Sequence, residues 1–308
     1  MRIVFMGTPE FAVPCLDILY KNGFTIAGVI TAPDKKSGRG QKLQTSAVKK
    51  YALEKNLNIL QPTNLKAPEF IDELKALKVD LQVVVAFRML PEVVWAMPPK
   101  GTINLHASLL PDYRGAAPIN WAIINGEKIT GVTSFFIEKE IDTGKILFQE
   151  KVTIAENDTA GTLHNKLMDK GAEVVLKTVQ AIDQNYYKAI EQDQSKALHQ
   201  APKIFPADCK INFDQAAKQV YNFIRGLNPY PGAWCYLDGR IFKIYFAEIA
   251  EEKTQSVQAG AVEKSKKQMK IACKDYWLSL KEVQPEKKRR MDIKSFLAGY
   301  QELQPKIS

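Results

Sequence analysis

Short β-branched segments alternate with helical segments through the first half of the chain, and this alternation limits the possible folds more than any other feature. The predicted strands lie at 3–6, 26–30, 81–86 and 102–105. The predicted helices lie between them, at 11–21, 47–55 and 68–77. Such alternation is typical of βαβ units, in which a helix connects two parallel strands. It predicts an α/β fold with a Rossmann-like, doubly wound and mainly parallel sheet.

Two more strands and a long helix are expected before the pattern weakens. The predicted elements are strands at 131–137 and 146–154, a turn at 142–144 and a helix at 160–183. Asp158 and Thr159 are both suitable N-caps for that helix. The polar stretch at 184–203 is interpreted as a linker. The first domain is therefore expected to cover 1–183.

A different pattern follows the linker. Its elements are a helix at 214–225, strands at 233–237, 241–247, 257–262, 269–272 and 277–282, and a last helix capped near Asp292. The Asp238-Gly239 dipeptide between the first two strands is a strong hairpin signal. Short strands with few helices predict a small OB-like β-barrel. The second domain is therefore expected to cover 204–308.

The composition fits a globular chain of this kind. Of the 308 residues, 45% are hydrophobic and 25% are charged. These values exclude a disordered or fibrous chain, and the length suits about two domains. No segment approaches the roughly 18 apolar residues that span a bilayer, and no signal pattern precedes the first predicted strand. We expect a cytoplasmic protein with no membrane partner.

Nucleotide cofactors and metals are not predicted. A dinucleotide site needs G-x-G-x-x-G in the first βα turn, but residues 6–11 hold one glycine, followed by a proline and an acid. The cysteines are widely separated, at Cys15, Cys209, Cys235 and Cys273. They form no C-x-x-C pair, and no histidine stands at metal-ligand spacing. We expect reduced, packed thiols, with neither zinc nor a disulfide framework.

The segment 101–118 carries the first signal of a functional site. If 102–106 is a strand, alternation places Asn104 and His106 on the same face. Open α/β sheets bind ligands at the carboxyl ends of their parallel strands, where this pair would lie. A structural histidine with satisfied hydrogen bonds remains an equal alternative on these residues alone.

A second candidate is Asp142, in the Asp-Thr-Gly sequence at 142–144. Aspartic-protease chemistry needs two such carboxylates, and the chain has one copy. An aspartate that only hydrogen-bonds its own turn is the alternative. If Asp142 meets Asn104 and His106, the three groups suit acyl transfer to an amine, which needs oxyanion donors and a proton acceptor.

Positive charge is concentrated in two places. The formal net charge is +9, of which residues 204–308 contribute +6 and residues 31–50 contribute +5, leaving the rest slightly acidic. The loop at 31–42 combines glycines with cations that could hold phosphates: Lys35, Lys36, Arg39 and Lys42. A solvated loop without a partner is the alternative, and the basic run at 287–290 is equally ambiguous.

With these residues identified, the chain resembles the methionyl-tRNA formyltransferase family over essentially its whole length. The shared motifs are F-M-G-T-P-E-F-A at 5–12, P-D-K-K-S-G-R-G-Q-K-L at 33–43, N-L-H-A-S-L-L-P at 104–111, Y-R-G-A-A-P-I at 113–119, D-T-G at 142–144 and N-P-Y-P-G-A-W at 228–234. The Asn-x-His…Asp set is shared by all formyltransferases that use 10-formyltetrahydrofolate. The Gly-Arg-Gly loop and the second domain narrow the resemblance to the enzymes that act on tRNA.

The resemblance implies a formyltransferase fold and a translation-initiation enzyme that formylates initiator methionyl-tRNA with 10-formyltetrahydrofolate, as a monomer and without a metal. The implied catalytic residues are Asn104, His106 and Asp142. The implied folate contacts are Ser108, Leu109, Leu110 and Pro111, with Val85, Ala86 and Phe87. The implied tRNA contacts are Arg39, Lys35, Lys36 and Lys42, and the second domain is expected along the tRNA.

Four residues depart from the family pattern. Glu140 replaces a usual glycine, and Lys145 replaces a commonly acidic residue, near Asp142. Asp112 stands where a basic residue is common, and Arg88 replaces a glycine near the expected pterin pocket. These changes leave local contacts open and do not touch the implied catalytic residues.

Two other functions remain open on the sequence. A formyltransferase acting on a sugar nucleotide or another amine would keep Asn104, His106 and Asp142 but would not need the basic loop. A non-catalytic RNA-binding protein would need the cations but not those three residues.

Overall fold

The computed structural model describes residues 1–37, 42–300 and 305–307. These residues form two compact units, each assembled from segments that are separated along the chain. The first unit comprises Met1–Gly115, Thr130–Val152 and His164–Gln200. The second unit comprises Ala116–Ile129, Thr153–Leu163 and Ala201–Ser308. The domain boundaries suggested by the sequence, at 183 and 204, stay predictions.

A seven-stranded sheet organises the first unit. The strands up to residue 153 are β1 (Arg2–Gly7), β2 (Thr25–Ile30), β3 (Lys35–Ser37), β4 (Lys42–Gln44), β5 (Ile59–Leu60), β6 (Leu81–Val85), β7 (Thr102–His106), β8 (Arg114–Gly115), β9 (Ile129–Phe136) and β10 (Ile146–Thr153). The sheet order is β10-β9-β7-β6-β1-β2-β5. Every pair from β5 to β7 is parallel, whereas β7 and β9 are antiparallel. The predicted mainly parallel sheet is confirmed.

Helices connect these strands as the alternation predicts. They are α1 (Val13–Lys21), α2 (Ala47–Glu54), α3 (Pro68–Ala76), α4 (Glu92–Trp95), α5 (Pro118–Ile124) and α6 (Ala160–Asp183), with a 3-10 helix at Glu10–Ala12. Helices α3 and α5 both begin with proline. Proline lacks a backbone N–H, and this costs nothing in the first turn because an N–H there has no acceptor within the helix. At the start of α6, the Thr159 hydroxyl accepts a hydrogen bond from the amide of Thr162 at 3.2 Å. Thr159 is therefore the N-cap of α6.

The core of the first unit surrounds the central strands. All five residues of β6 are buried, as expected of a strand covered on both faces. On one face, Leu74 of α3 packs with Val4, Met6 and Val84 of the sheet. A fully buried leucine contributes about 1.5–3 kcal/mol through the hydrophobic effect. Such contacts hold the parallel strands in a fixed register.

An antiparallel sheet organises the second unit. Strand β11 (Gln200–Ala201), at the boundary between the two units, and a 3-10 helix at Gln194–Lys196, in the first unit, are not part of this sheet. The strands of the sheet are β12 (Ala233–Leu237), β13 (Arg240–Lys253), β14 (Val262–Lys264), β15 (Met269–Ala272), β16 (Tyr276–Pro285) and β17 (Met291–Asp292). The unit also holds helices α7 (Ala217–Gly226) and α8 (Ile293–Ala298) and a 3-10 helix at Pro206–Cys209. The order is β12-β13-β16-β15-β14, and β17 pairs with β16. The pairs β12–β13, β13–β16, β16–β15, β15–β14 and β16–β17 are all antiparallel. The β-rich second domain is confirmed, and its closure into an OB-like barrel stays a prediction.

The hairpin predicted at Asp238-Gly239 is confirmed. Leu237 pairs with Arg240, and both turn residues have positive φ, 50° at Asp238 and 73° at Gly239. A two-residue turn with this backbone matches the twist of the strands it joins. The Asp292 carboxylate also accepts from the amides of Lys294 and Ser295 at 3.0 Å, which confirms it as the cap of α8.

Two predicted elements of this domain are corrected. The strand predicted at 257–262 is wrong for 257–261, because β14 begins at Val262. Turns with positive φ lie at Ser256, just before this stretch, and at Gly260 within it. The helix predicted at 214–225 begins at Ala217. Its amide donates to the Asp275 carboxylate at 2.7 Å, a capping contact that residues near 214 do not reveal.

All four cysteines are buried and free. Burial raises the pKa of the Cys235 and Cys273 thiols to about 12, so both are neutral at physiological pH. Within 1–37, 42–300 and 305–307, no helix is long and apolar enough to cross a membrane. Nor does that part of the chain bring together three His, Cys, Asp or Glu side chains that could hold a metal ion.

A charged network lies at the base of the basic loop, between β2 and α2. Lys49 Nζ lies 2.6 Å from Asp34 Oδ2 and donates to Gln61 Oε1 at 2.6 Å. Gln61 Nε2 donates to Asp34 Oδ1 at 3.0 Å and to the carbonyl oxygen of Ala32 at 2.8 Å. Lys49 is therefore committed to Asp34, although the sequence count included it among the cations of the loop.

This network predicts a pH-dependent contribution of Asp34 to stability. The hydrogen bonds from Lys49 and Gln61 hold the pKa of Asp34 below its usual value. The stabilisation is therefore present above the unfolded pKa of about 3.9 and is lost as the pH falls through the lower folded value. We expect Asp34→Asn to lower the free energy of unfolding at pH 7, with a difference that shrinks in strong acid. Denaturant unfolding at several pH values measures this.

Asp72→Asn is the matched control. Its carboxylate lies 3.7 Å from Lys75, and both side chains are largely exposed, so the substitution should change stability little. An Asp34→Asn effect that is independent of pH contradicts the assignment.

Candidate active site

Strand β7 presents Asn104 and His106 on one face of the sheet, as alternation predicts. Val84 and Val85 of β6 pair with Asn104 and Leu105, so the carboxyl ends of these parallel strands meet at one edge of the sheet. Asn104 is half-buried. In the described part of the chain, no hydrogen bond occupies its carboxamide, which leaves its N–H donors available to a ligand.

His106 is held in one orientation by the backbone. It is 7% exposed, and its Nε2 lies 2.8 Å from the carbonyl oxygen of Tyr113. Since a carbonyl oxygen only accepts, Nε2 carries the proton and donates it. The other ring nitrogen, Nδ1, then lies 3.8 Å from Asp142 Oδ2. That distance is too long for a hydrogen bond but short enough for a strong electrostatic interaction in a site sheltered from water.

Asp142 lies in a tightly held loop. Its φ is +56°, an unfavourable backbone conformation for a residue with a Cβ. Its carboxylate accepts from the amide of Gly115 at 3.1 Å, and its carbonyl oxygen accepts from Arg114 Nε at 3.0 Å. The turn is closed by the Thr143 hydroxyl, which donates to the Glu140 carbonyl. The structure therefore brings Asp142 and His106 together and assigns the bond within the turn to Thr143.

Gly144 explains why the loop can pass so close to β9. A Cβ at this position would lie 1.8 Å from the carbonyl oxygen of Phe136. No side chain fits at that distance, so glycine is required by close backbone approach. The Phe136 amide also donates a hydrogen bond to the Lys145 carbonyl at 3.0 Å, which holds the loop against the end of β9.

The segment 108–111 is rigid and mostly buried. Ser108 is fully buried, and its hydroxyl donates to the carbonyl of Asp112 at 2.7 Å. The Leu110 amide donates to Thr133 Oγ1 at 3.1 Å, and Gln149 Nε2 donates to the Leu110 carbonyl at 2.8 Å. Of the four residues at 108–111, only Leu109 is partly exposed. Leu109 is therefore the residue of this segment whose side chain is most open to solvent.

The predicted folate contacts at 85–87 adjoin this segment. Val85 is buried at the end of β6, Ala86 is exposed with φ +47°, and Phe87 is half-buried. The chain therefore turns outward at the carboxyl edge of the sheet, beside the end of β7. The role of these residues in folate binding stays a prediction.

Three of the departing residues have partners of their own. Arg88 donates to the carbonyl oxygens of Thr63, at 2.8 Å, and Pro62. Lys145 lies 3.0 Å from Glu191, and this hydrogen bond raises the pKa of Lys145. Arg88 and Lys145 therefore each make defined contacts within the protein.

Asp112 is paired with His199. Its carboxylate accepts from the His199 amide at 2.6 Å and lies 3.0 Å from His199 Nδ1. The His199 ring stacks on Tyr113, with ring centroids 5.0 Å apart. The Tyr113 carbonyl orients His106. By packing on Tyr113, the pair of Asp112 and His199 therefore supports that orientation.

Three of the four predicted tRNA contacts, Lys35, Lys36 and Lys42, lie in the paired strands β3 and β4. Lys35 is exposed at the start of β3. The backbones of Lys36 and Lys42 lie in the two strands, in register with Leu43 and Ser37. Arg39 falls at 38–41, outside the described residues.

Sequence reasoning missed the contribution of the segment interpreted as a linker. Gln192 is 7% exposed and hydrogen-bonds the loop of Asp142, and His199 bonds Asp112. Ile190 also forms a β-bridge with Ile146. Both side chains lie in a polar run without periodicity, so no local signal distinguished them from solvated residues.

The chain matches two families of known proteins. Residues 1–179 match the family described as Formyl transferase, and residues 203–301 match Formyl transferase, C-terminal domain. Among solved structures, WlaRD, a sugar 3N-formyl transferase, aligns with a TM-score of 0.69 at 23% identity, covering 94% of this chain and 99% of that one. HypX from Aquifex aeolicus aligns with a TM-score of 0.66 at 18% identity, covering 99% of this chain and 50% of that one. At these identities the two structures show the shared fold alone.

Curated relatives are far more similar. The methionyl-tRNA formyltransferase of Flavobacterium johnsoniae is 50% identical over 303 residues, covering 97% of this chain and 96% of that protein. The methionyl-tRNA formyltransferase of Bacteroides thetaiotaomicron is 49% identical over 308 residues, covering 97% and 96%. Both alignments extend through the active-site strands and the second domain. The chain therefore belongs to the methionyl-tRNA formyltransferase family.

Proposed function

We propose that this protein transfers the formyl group of 10-formyltetrahydrofolate to the free α-amine of methionine on initiator methionyl-tRNA. The observation that carries the proposal is the meeting of His106 and Asp142 beside an unoccupied Asn104 carboxamide at the carboxyl edge of the sheet. Relatives about 50% identical over 97% of the chain carry that activity in their names. Membership of the family and the chemistry of the site support the same reaction.

The reaction is an acyl transfer through a tetrahedral intermediate. The amine nitrogen bonds to the formyl carbon, and the formyl oxygen becomes an oxyanion. The intermediate then collapses, the bond from carbon to folate N10 breaks, and N10 takes up a proton. The attacking nitrogen loses a proton in the same sequence, so the site must stabilise an oxyanion and move protons.

The three polar groups divide this work. Asn104 donates an N–H to the oxyanion from a carboxamide that is hydrogen-bonded to no other group among the described residues. His106, held by the Tyr113 carbonyl, stabilises the oxyanion as imidazolium or passes a proton to the leaving nitrogen. Asp142, whose carboxylate lies 3.8 Å from that ring, accepts the proton of the amine, directly or through water.

The formyl donor is assigned to the neighbouring edge of the sheet. The exposed backbone at Ala86 and the partly exposed Leu109 flank the end of β7, so a pterin held there would lie beside Asn104. Two solved proteins with the same fold were determined with folate derivatives, WlaRD in the presence of 5-N-formyl-THF and HypX in complex with tetrahydrofolic acid. A folate-derived donor therefore agrees with the fold and the local shape.

Electrostatics supports a polyanionic acceptor. The chain carries a formal net charge of +9, concentrated in the basic hairpin and in residues 204–308. Lys35 is exposed in that hairpin, while Lys49 is neutralised by Asp34. Exposed cations suit the phosphates of an acceptor stem. A sugar nucleotide has far fewer phosphates and would not need them.

Formyl transfer to methionyl-tRNA tests the proposal directly. We expect purified protein with 10-formyltetrahydrofolate and methionyl initiator tRNA to yield formylmethionine, detected by mass spectrometry after deacylation. Transfer to an amino sugar but not to the tRNA would identify a different acceptor. Binding of tRNA without transfer to any amine would identify an RNA-binding protein.

Asn104→Ala tests the oxyanion donor. Removing one such donor typically costs about 2.7–4 kcal/mol in the barrier, so turnover should fall roughly 10²–10³-fold. Single-turnover kinetics with saturating substrates measures this loss. The control is Asn58→Ala, which removes an exposed asparagine away from β7 and should leave the rate unchanged. A near-normal rate for Asn104→Ala removes this residue from the mechanism.

Arg39→Ala tests the assignment of the basic loop. Loss of one phosphate contact should weaken tRNA use and reduce the slope of log affinity against log salt by about one, while folate affinity is unchanged. Lys66→Ala removes an exposed cation outside the loop and is the control for general charge loss. Equal weakening of folate and tRNA binding by Arg39→Ala would contradict the assignment.

A further inference from the structure

The loop that carries Asp142 is held by one side chain from a distant part of the chain. Gln192 is 7% exposed, and its Nε2 donates to the carbonyl oxygens of Asp142, at 2.9 Å, and Gly144, at 2.8 Å. Both protons of the carboxamide are therefore used, on carbonyls two residues apart. A single planar group spans the turn on either side of Thr143.

The other end of the same carboxamide is also occupied. Gln192 Oε1 accepts from Arg114 Nε at 3.2 Å and from a terminal nitrogen of the same guanidinium. Arg114 Nε in turn donates to the Asp142 carbonyl at 3.0 Å. The arrangement requires an acceptor and a double donor in one side chain, which only an amide supplies.

The backbone that carries Gln192 is anchored next to the loop. Ile190 and Ile146 exchange two backbone hydrogen bonds, of 2.8 and 2.9 Å. Glu191 lies 3.0 Å from Lys145. Gln192 therefore reaches the loop from a short β-bridge and does not depend on a flexible tether.

The loop needs this support because of its conformation. Asp142 has φ +56°, and a non-glycine residue keeps such a backbone only where its surroundings over-determine it. The carbonyl held by Gln192 and the carboxylate that faces His106 belong to the same residue. Fixing the carbonyl therefore fixes the direction of the Cα–Cβ bond, and with it the 3.8 Å approach to His106.

We infer that Gln192 is a positioning residue for Asp142, acting through the loop at 140–144 without contacting either substrate. The inference rests on the proposed function for its kinetic consequence, but its structural consequence at His106 can be measured without substrate. The segment 184–203, which the sequence indicated as a linker, therefore contributes a positioning residue to the site.

Two substitutions separate the hydrogen bonds from the volume of the side chain. Gln192→Met keeps the length and loses every hydrogen bond. Gln192→Glu keeps the oxygen that accepts from Arg114, so this variant should still fold. Its second oxygen replaces the donor and faces the carbonyl oxygens of Asp142 and Gly144, which it repels. The matched control is Gln194→Met, because Gln194 accepts from Arg114 Nη1 at 2.8 Å and is bonded to neither carbonyl.

Kinetics distinguishes positioning from general stabilisation. We expect both Gln192 variants to lower kcat about 10–100-fold, as misplacement of a catalytic group does, with the KM values for folate and tRNA unchanged. The measurements are made well below the Tm of each variant. A kcat equal to that of Gln194→Met, or a loss confined to KM, overturns the inference.

A double-mutant cycle tests whether Gln192 acts through Asp142. In an Asp142→Asn background, Gln192→Met should cost far less than it does alone, because the carboxylate it positions is already gone. Fully additive losses in the double variant would show an independent role and overturn the inference.

The histidine spectrum gives a readout that needs no substrate. The chain has only three histidines, so the imidazole resonances of His106 and His164 can be assigned by single substitutions. We expect Gln192→Met to shift the His106 resonance, with His164 as the unchanged reference. An unmoved His106 resonance overturns the inference. If the unmodified protein transfers no formyl group, the proposed function fails while this measurement still decides the role of Gln192.

Discussion

The parallel pairing of β6 with β7 is the constraint on which the active site depends. Because both strands run in the same direction through a buried sheet, their carboxyl ends and the loops that follow them emerge at one edge. The exposed turn at Ala86 follows one strand, and His106 ends the other. The turn at Ala86 and the pair formed by His106 and Asp142 therefore become neighbours through the register of a sheet whose hydrophobic core resists any shift of that register.

Unfavourable backbone conformations accumulate around this edge and are offset by hydrogen bonds. Tyr113 and Asp142 both have positive φ, of 58° and 56°. The Tyr113 carbonyl accepts from His106, and the Asp142 carbonyl accepts from Arg114 and Gln192. The same groups that hold the strained loops also orient the two reactive side chains. Stability and geometry are thus coupled in this part of the protein, since losing one of these bonds releases the strain and misplaces a side chain.

Several charged side chains of the first unit are paired with neighbouring residues. Of the departures from the family pattern, Asp112 is hydrogen-bonded to His199, and Lys145 has Glu191 as a counter-charge. Lys49 of α2 is likewise paired with Asp34 of the loop. Counting charges along the chain overstates what is available to a nucleic acid, because paired charges contribute little to the field beyond a Debye length. The remaining excess lies in the hairpin and in the second domain.

Local patterns of the sequence determined the α/β class, the common face of Asn104 and His106, and the hairpin turn at Asp238-Gly239. Each depends on periodicity or turn chemistry within about ten residues. Only the tertiary structure decided that Asp142 meets His106, that Ser108 is buried and that Gln192 belongs to the site. These contacts join residues from 4 to 50 positions apart, through loops whose closure depends on the packed sheet. No local pattern records which polar side chain a folded loop will bury, so the sequence could nominate these residues or miss them but could not bring them together.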